Sequence, residues 1–81
     1  MIEEYVTAAL RHADYKRLAD DTWFASVPGL EGAWANAATV EGCRGELREV
    51  LESWLVLKLR DDDEIPTIDG VEIPRREEAV V

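Results

Sequence analysis

Apolar residues recur at helical spacing near the start of the chain and again across its centre, with strand-like runs between. Ile2, Tyr5, Val6, Ala9 and Leu10 fall at i, i+3, i+4, i+7 and i+8, the stripe of an amphipathic helix. Glu3 and Glu4 sit near its positive end and Arg11 and His12 near its negative end, as the helix dipole favours. The pattern predicts a helix over Ile2–His12. Three turns are marginal alone in water, so this helix must dock on the rest of the fold or on another subunit.

Asp14–Ala19 and Thr22–Val27 flank the polar pair Asp20-Asp21 and predict a β-hairpin over residues 14–19 and 22–27. Asp tolerates the positive φ that tight turns require. Pro28-Gly29 then ends the second strand. Glu31–Asn36, centred on Trp34, predicts a third strand, weakened by its alanines. Thr39 is a helix N-cap with Glu41 in the first turn, although Gly42 leaves the capping box incomplete. Val40, Cys43, Leu47, Val50, Leu51 and Trp54 form one apolar stripe, and Glu41, Gly45, Arg48, Glu49, Glu52 and Ser53 face away from it. This helix is predicted over residues 40–60.

Its last turn breaks the pattern. Val56 and Leu59 fall off the stripe, and Lys58 falls inside it. Either the end frays while Lys58 snorkels past the core edge, or a second surface covers Val56 and Leu59. That surface would be the C-terminal segment or another subunit. Asp61–Glu64 opposes the dipole and predicts a solvated loop. Ile65-Pro66 opens an extended segment, Asp69-Gly70 marks a turn, and Val71–Ile73 predicts a short strand stopped by Pro74. Residues 75–81 are expected to be a mobile tail.

The order is therefore α-β-β-β-α-β: an α+β domain with an N-terminal helix and an antiparallel sheet covered on one face by one long helix. The other face must be solvated, or buried by the first helix or a partner. An 81-residue chain has room for one such domain with a modest core, and 47% hydrophobic residues argue against disorder. The longest apolar run, Trp54–Leu57, is far short of the ~20 residues of a membrane span. The N-terminus carries no signal-peptide pattern, and Cys43 is the lone cysteine, so a cytoplasmic protein without disulfides is expected. A net charge of −9 disfavours direct contact with nucleic acid and favours solubility or a basic partner.

Residues that carry chemistry are few. His12 is the only histidine, so Cys43–His12 is the one conceivable nucleophile–base pair, and Cys43 lies on the apolar stripe where thiols are inert. No Cys/His cluster has zinc spacing, and Asp61–Glu64 lacks the glycine and alternation of an EF-hand loop. Asp20 and Asp21 in a turn both face water, unlike an acid–base pair held in contrasting environments. No glycine-rich phosphate loop is present. No enzymatic activity, metal or cofactor is expected. Trp23 and Phe24 are adjacent, so on a strand they point to opposite faces, one into the core and one outward with Trp34. Trp54 is expected in the core.

The stretch Trp23-Phe24-Ala25-Ser26-Val27-Pro28-Gly29-Leu30-Glu31-Gly32 resembles the signature of the HicB-like antitoxin family. There an aromatic strand runs into a P-x-L-x-G turn, a third strand and a Thr-capped helix. Here the matching residues are Pro28, Leu30, Gly32, Thr39 and Glu41, followed by Ile65-Pro66. The resemblance covers about Tyr15 to Ile73. It implies a β-β-β-α-β unit like a truncated ribonuclease H fold without that fold's catalytic carboxylates. It also implies a small basic HicA-type RNA-cleaving toxin as partner, inhibited by occlusion. Many members carry a C-terminal DNA-binding domain for which 81 residues leave no room, so direct DNA binding is not expected. The first helix is an addition that the shortest members lack.

Two functional readings stand. In one, the acidic hairpin and sheet edge bind the toxin through Asp20, Asp21, Glu31 and Trp34. In the other, the chain is an orphan self-associating domain, a dimer or tetramer built on the first helix with Tyr5, Val56 and Leu59. A remnant hydrolase would need carboxylates converging from Asp14, Asp20, Asp21 and Glu31.

Overall fold

The computed structural model describes residues 2–73. Helix α1 (Ile2–Arg11) has Glu3 and Glu4 in its first turn and Arg11 in its last, and it buries Tyr5, Val6, Ala8, Ala9 and Leu10. Strand β1 (Asp14–Arg17) pairs antiparallel with β2 (Trp23–Ser26), and β2 pairs antiparallel with β3 (Trp34–Ala37), giving the order β1-β2-β3. Helix α2 (Val40–Arg60) returns across the sheet.

Each hairpin strand is shorter than its sequence predicts, because the turn takes up the residues beside it. Leu18 N–H donates to the Thr22 carbonyl at 2.8 Å, and Asp21 N–H donates back to the Leu18 carbonyl at 3.0 Å. Asp21 takes the left-handed conformation at φ 64° that its residue type tolerates.

The third strand starts three residues later than predicted. Two turns in succession occupy the stretch before it. Leu30 N–H donates to Val27 O (3.1 Å) and Ala33 N–H to Leu30 O (3.3 Å). Each turn places a glycine at positive φ, Gly29 at 89° and Gly32 at 87°. Glu31 therefore belongs to a turn, and the strand runs on to Ala37.

The register sets the two faces of the sheet. Ala25 lies opposite Ala35 and Tyr15, and this face, with Trp23 and Ala37, meets α2. Phe24, Ser26, Trp34 and Asn36 alternate onto the other face with Asp14 and Lys16. Among the described residues both helices pack to one side, since α1 lies against α2.

Helix α2 is capped as its sequence predicts: Gly42 N–H donates to Thr39 Oγ1 at 2.9 Å. Gly42 has a reason to lack a side chain there, because a Cβ would stand 2.9 Å from that same hydroxyl. The buried row is Cys43, Leu47, Leu51 and Leu55, spaced by four. Val50 and Trp54, read as stripe residues, are only half-buried, and Leu55 takes the central place. The helix does not fray. It is regular to Arg60 and closes on Asp61, whose N–H returns to Leu57 O.

The fourth strand is a correction. Val71–Ile73 does not join the sheet. Ile68 and Val71 make an isolated antiparallel bridge around Asp69-Gly70, both at positive φ (51° and 78°), the geometry of a tight primed turn. One residue on each side of the turn closes the bridge, and the sheet keeps three strands among the described residues. Ile73 instead drops into the core, and Ile65, Ile68 and Val71 pack against it. The expected tail over residues 75–81 lies outside the described residues.

Candidate interaction surfaces

The four residues predicted to bind a partner do not form one cluster. Asp20 and Asp21 lie at the hairpin end of the sheet. Glu31 lies at the opposite end, beyond Ser26, about 10 Å away along the four-residue strand at ~3.3 Å per residue. Trp34, opposite Ser26, is at the Glu31 end.

The hairpin acids are structural as well as charged. Asp20 Oδ1 accepts from Thr22 N–H at 3.1 Å and from Thr22 Oγ1 at 2.6 Å. These bonds hold the Asp20 carboxyl below the ordinary aspartate range, because they favour the ionised form. Asp21 accepts from Arg17 Nη2 at 3.0 Å on an exposed surface. Asn36 Nδ2 donates to Thr22 Oγ1 (3.0 Å) and Trp23 O (2.8 Å), tying the end of β3 to the hairpin.

At the other end Trp34 is 54% exposed and stacks on Phe24, with ring centroids 5.7 Å apart and planes at 24°. Trp23, next to Phe24 in the chain, points the other way and packs against the core. Trp54 stands at the core edge. Its indole N–H donates to Glu31 O at 2.9 Å, and the Lys58 ammonium lies 5.4 Å from its ring and 3.8 Å from Asp63. Lys58 thus passes along the core edge with its charge outside, while Leu59 packs against the core.

The three residues predicted for self-association divide. Tyr5 is a correction: it is fully buried inside the protomer, and its hydroxyl donates to the Pro66 carbonyl. Burial pushes that hydroxyl's pKa up. Leu59 is also taken into the protomer. Val56 is 56% exposed, and the neighbouring apolar residue left outside is Leu57, at 48%. The signal for Leu57 was its spacing from Val50 and Ser53, a row beside the buried one rather than opposite it.

The polar side chains are engaged far from one another. Cys43 is buried, with Sγ 3.5 Å from Trp23 O and Ala35 O, and desolvation and then the Glu46 charge raise its pKa. His12 Nε2 lies 2.7 Å from Asp69 Oδ1, and Arg11 Nη1 lies 3.6 Å from Asp69 Oδ2. These contacts fasten the end of α1 to the 68–71 bridge, and no local pattern signals that Asp69 pairs so far away in the chain. Asp14, opposite Ser26, lies at the end of the sheet away from Asp20 and Asp21. Among the described residues, no three His, Cys, Asp or Glu side chains gather as metal ligands would, and no helix is long and apolar enough to cross a membrane.

The deciding observation is that residues 4–66, most of the described fold, match the UPF0150-like family. The chain belongs to the UPF0150-like family. This family is related to the HicB-like antitoxins. The match begins at Glu4, inside α1, so most of that helix lies within the UPF0150-like pattern. The 68–71 bridge and its clamp to His12 lie beyond the match. The UPF0150-like fold seen here is similar to the crystal structure of TTHA0281 from Thermus thermophilus. The two are 27% identical with a TM-score of 0.80, over 91% of this chain and 95% of that one. No curated protein matches the chain.

Proposed function

We propose that this UPF0150-like chain is a HicB-like antitoxin, which binds a small basic HicA-type RNA-cleaving protein and blocks its active site. Membership of an antitoxin-related family carries the reading. The net charge of −9 supports it, since it favours encounter with a basic partner over contact with nucleic acid. Inhibition is by occlusion, with no chemistry supplied by this chain. In this reading the meander and α2 serve as a truncated ribonuclease H-like scaffold. The hairpin end, with Asp20 and Asp21, presents its charge to the partner, and the Phe24–Trp34 stack offers an aromatic surface of the kind enriched at interfaces.

The test is purification of the chain from its native host, together with titration of the chain into RNA cleavage by any small basic protein encoded beside it. The reading expects a salt-sensitive complex and cleavage that disappears at stoichiometric chain. A neighbourhood without a basic protein, and a chain that purifies alone, would overturn it.

A further inference from the structure

The acidic excess of the chain is engaged at one place and idle at another. At the hairpin, Asp20 accepts two bonds from Thr22 and Asp21 pairs with Arg17. On α2, Glu46 and Glu49 are exposed, and among the described residues neither forms an ion pair. The cations of that helix lie elsewhere. Arg44 and Arg48 leave it about 100° or more around from both glutamates, at ~3.6 residues per turn. Lys58 sits at the Trp54 ring and 3.8 Å from Asp63, and Arg60 comes at the helix end beside Asp61.

The same two glutamates rim a depression of about 330 Å³, lined also by Gly32, Val50, Trp54 and Leu57. Trp54 sets its second wall, because the indole bond to Glu31 O holds the 31–32 turn beside α2. Gly32 leaves that wall bare, and even a Cβ there would meet nothing within 4 Å. Leu57, nearly half exposed, and Val56 continue the apolar surface past the rim.

We propose that this depression anchors a basic segment of another protein. The segment seats one apolar side chain beside Val50, Trp54 and Leu57 and sets its cations against Glu46 and Glu49. Carboxylates beside an apolar contact lose water when it closes, and a cation on the incoming surface offsets that cost. A second copy, with 18 acidic residues against 9 basic, is a poor source of such a cation. The proposal rests on the antitoxin reading for the identity of the partner. It assigns the main contact to α2, where the carboxylates are unpaired, rather than to the hairpin.

The first probe is a synthetic helical peptide of about four turns with leucine and arginine on one face, added to the full chain and followed by amide NMR. Shifts are expected at Gly32, Val50, Ser53 and Leu57, with Asp21 and Thr22 unmoved. The same peptide with serine in place of leucine should lose the response. Glu46→Lys together with Glu49→Lys should weaken binding about tenfold, and Leu57→Ser should do likewise. Circular dichroism checks that these variants fold. No response, a response centred on the hairpin, or one unchanged by the double reversal overturns the proposal. So do shifts at these residues that track chain concentration without peptide. The basic protein sought from the native host separates the two readings. If it binds and is insensitive to the α2 variants, the anchor site falls while the antitoxin reading stands. If no such protein exists but the peptide maps to α2, the antitoxin reading falls and the site stands.

Discussion

The two faces of the three-stranded sheet are built in opposite ways. The inner face is small at its centre: Ala25 and Ala35 are buried side by side, the half-buried rings of Tyr15 and Trp23 flank them, and the leucines come from α2. The outer face carries a stacked pair of rings, Phe24 and Trp34, and leaves Trp34 more than half exposed. Adjacent residues of one strand, Phe24 and Ala25, therefore invert the usual rule that the larger apolar side chain goes inside. Alanines let α2 lie close to the sheet, so Leu47 and Leu51 reach full burial in a chain too short for a thick core. The aromatic face has no second layer among the described residues. Burial is thus concentrated on the inner face.

The sharpest way to break this division is to remove volume from the helix side. Leu51→Ala is expected to cost about 2–5 kcal/mol, the range for a buried leucine that leaves a cavity. Against a total of roughly 5–15 kcal/mol for a small domain, thermal unfolding should show a large fall in Tm. Adding volume is the converse. Ala25→Leu should cost about 1–3 kcal/mol by pushing α2 away. Phe24→Leu, one residue along but on the outer face, should cost less. Equal costs would refute the claim that the faces differ.

A smaller effect has the opposite sign. The Tyr15 hydroxyl is buried without a hydrogen-bond partner among the described residues. Tyr15→Phe keeps the ring and deletes the unpaired group, so a gain of about 1 kcal/mol in denaturant unfolding is expected. On the outer face, Trp34→Ala should cost only about 0.5–1.5 kcal/mol, the scale of an aromatic pair. If that face serves a partner, the same variant weakens binding far more than folding.

The inversion also explains which parts of the fold were legible in the chain. The caps and dipole signals of both helices act within a few residues, and α1 and Thr39 follow them. Trp23 and Phe24 split between faces because alternation in a strand is local. The start of β3 was not legible: alanines on the inner face give no contrast with which to fix a strand, and only the first of the two turns has a Pro-Gly signal. The burial of Leu55 in place of Val50 and Trp54 depends on where the sheet sits beneath α2, a tertiary fact. Tyr5 and Leu59 looked available for another subunit because nothing local announces that the 65–73 segment covers that side. Of the surfaces, the charges and Trp34 could be read early, but their separation to opposite ends of the sheet follows from the register alone.

The hairpin turn is what keeps that register, and a slip of one residue would exchange the faces, sending Trp23 and Ala25 out and Phe24 in. Asp20 helps to hold it by accepting two bonds from Thr22. Its carboxyl titrates below the ordinary aspartate value, chiefly because of the Thr22 side-chain bond and then the Thr22 backbone bond. A depressed pKa means that the folded state favours the ionised form, so the contribution is complete above the unfolded value, about 4, and is lost as pH falls through the folded one. The turn is fully exposed, so solvent screens the effect and the loss is small. Amide exchange at Thr22 should quicken, relative to the core strands, as pH is lowered below about 4, after correction for intrinsic exchange. In Asp20→Asn that acid-specific quickening should vanish, because the amide accepts the same bonds without titrating. If it persists in the variant, another group guards the turn, and the division of the faces rests on the Asn36 link between β3 and the hairpin.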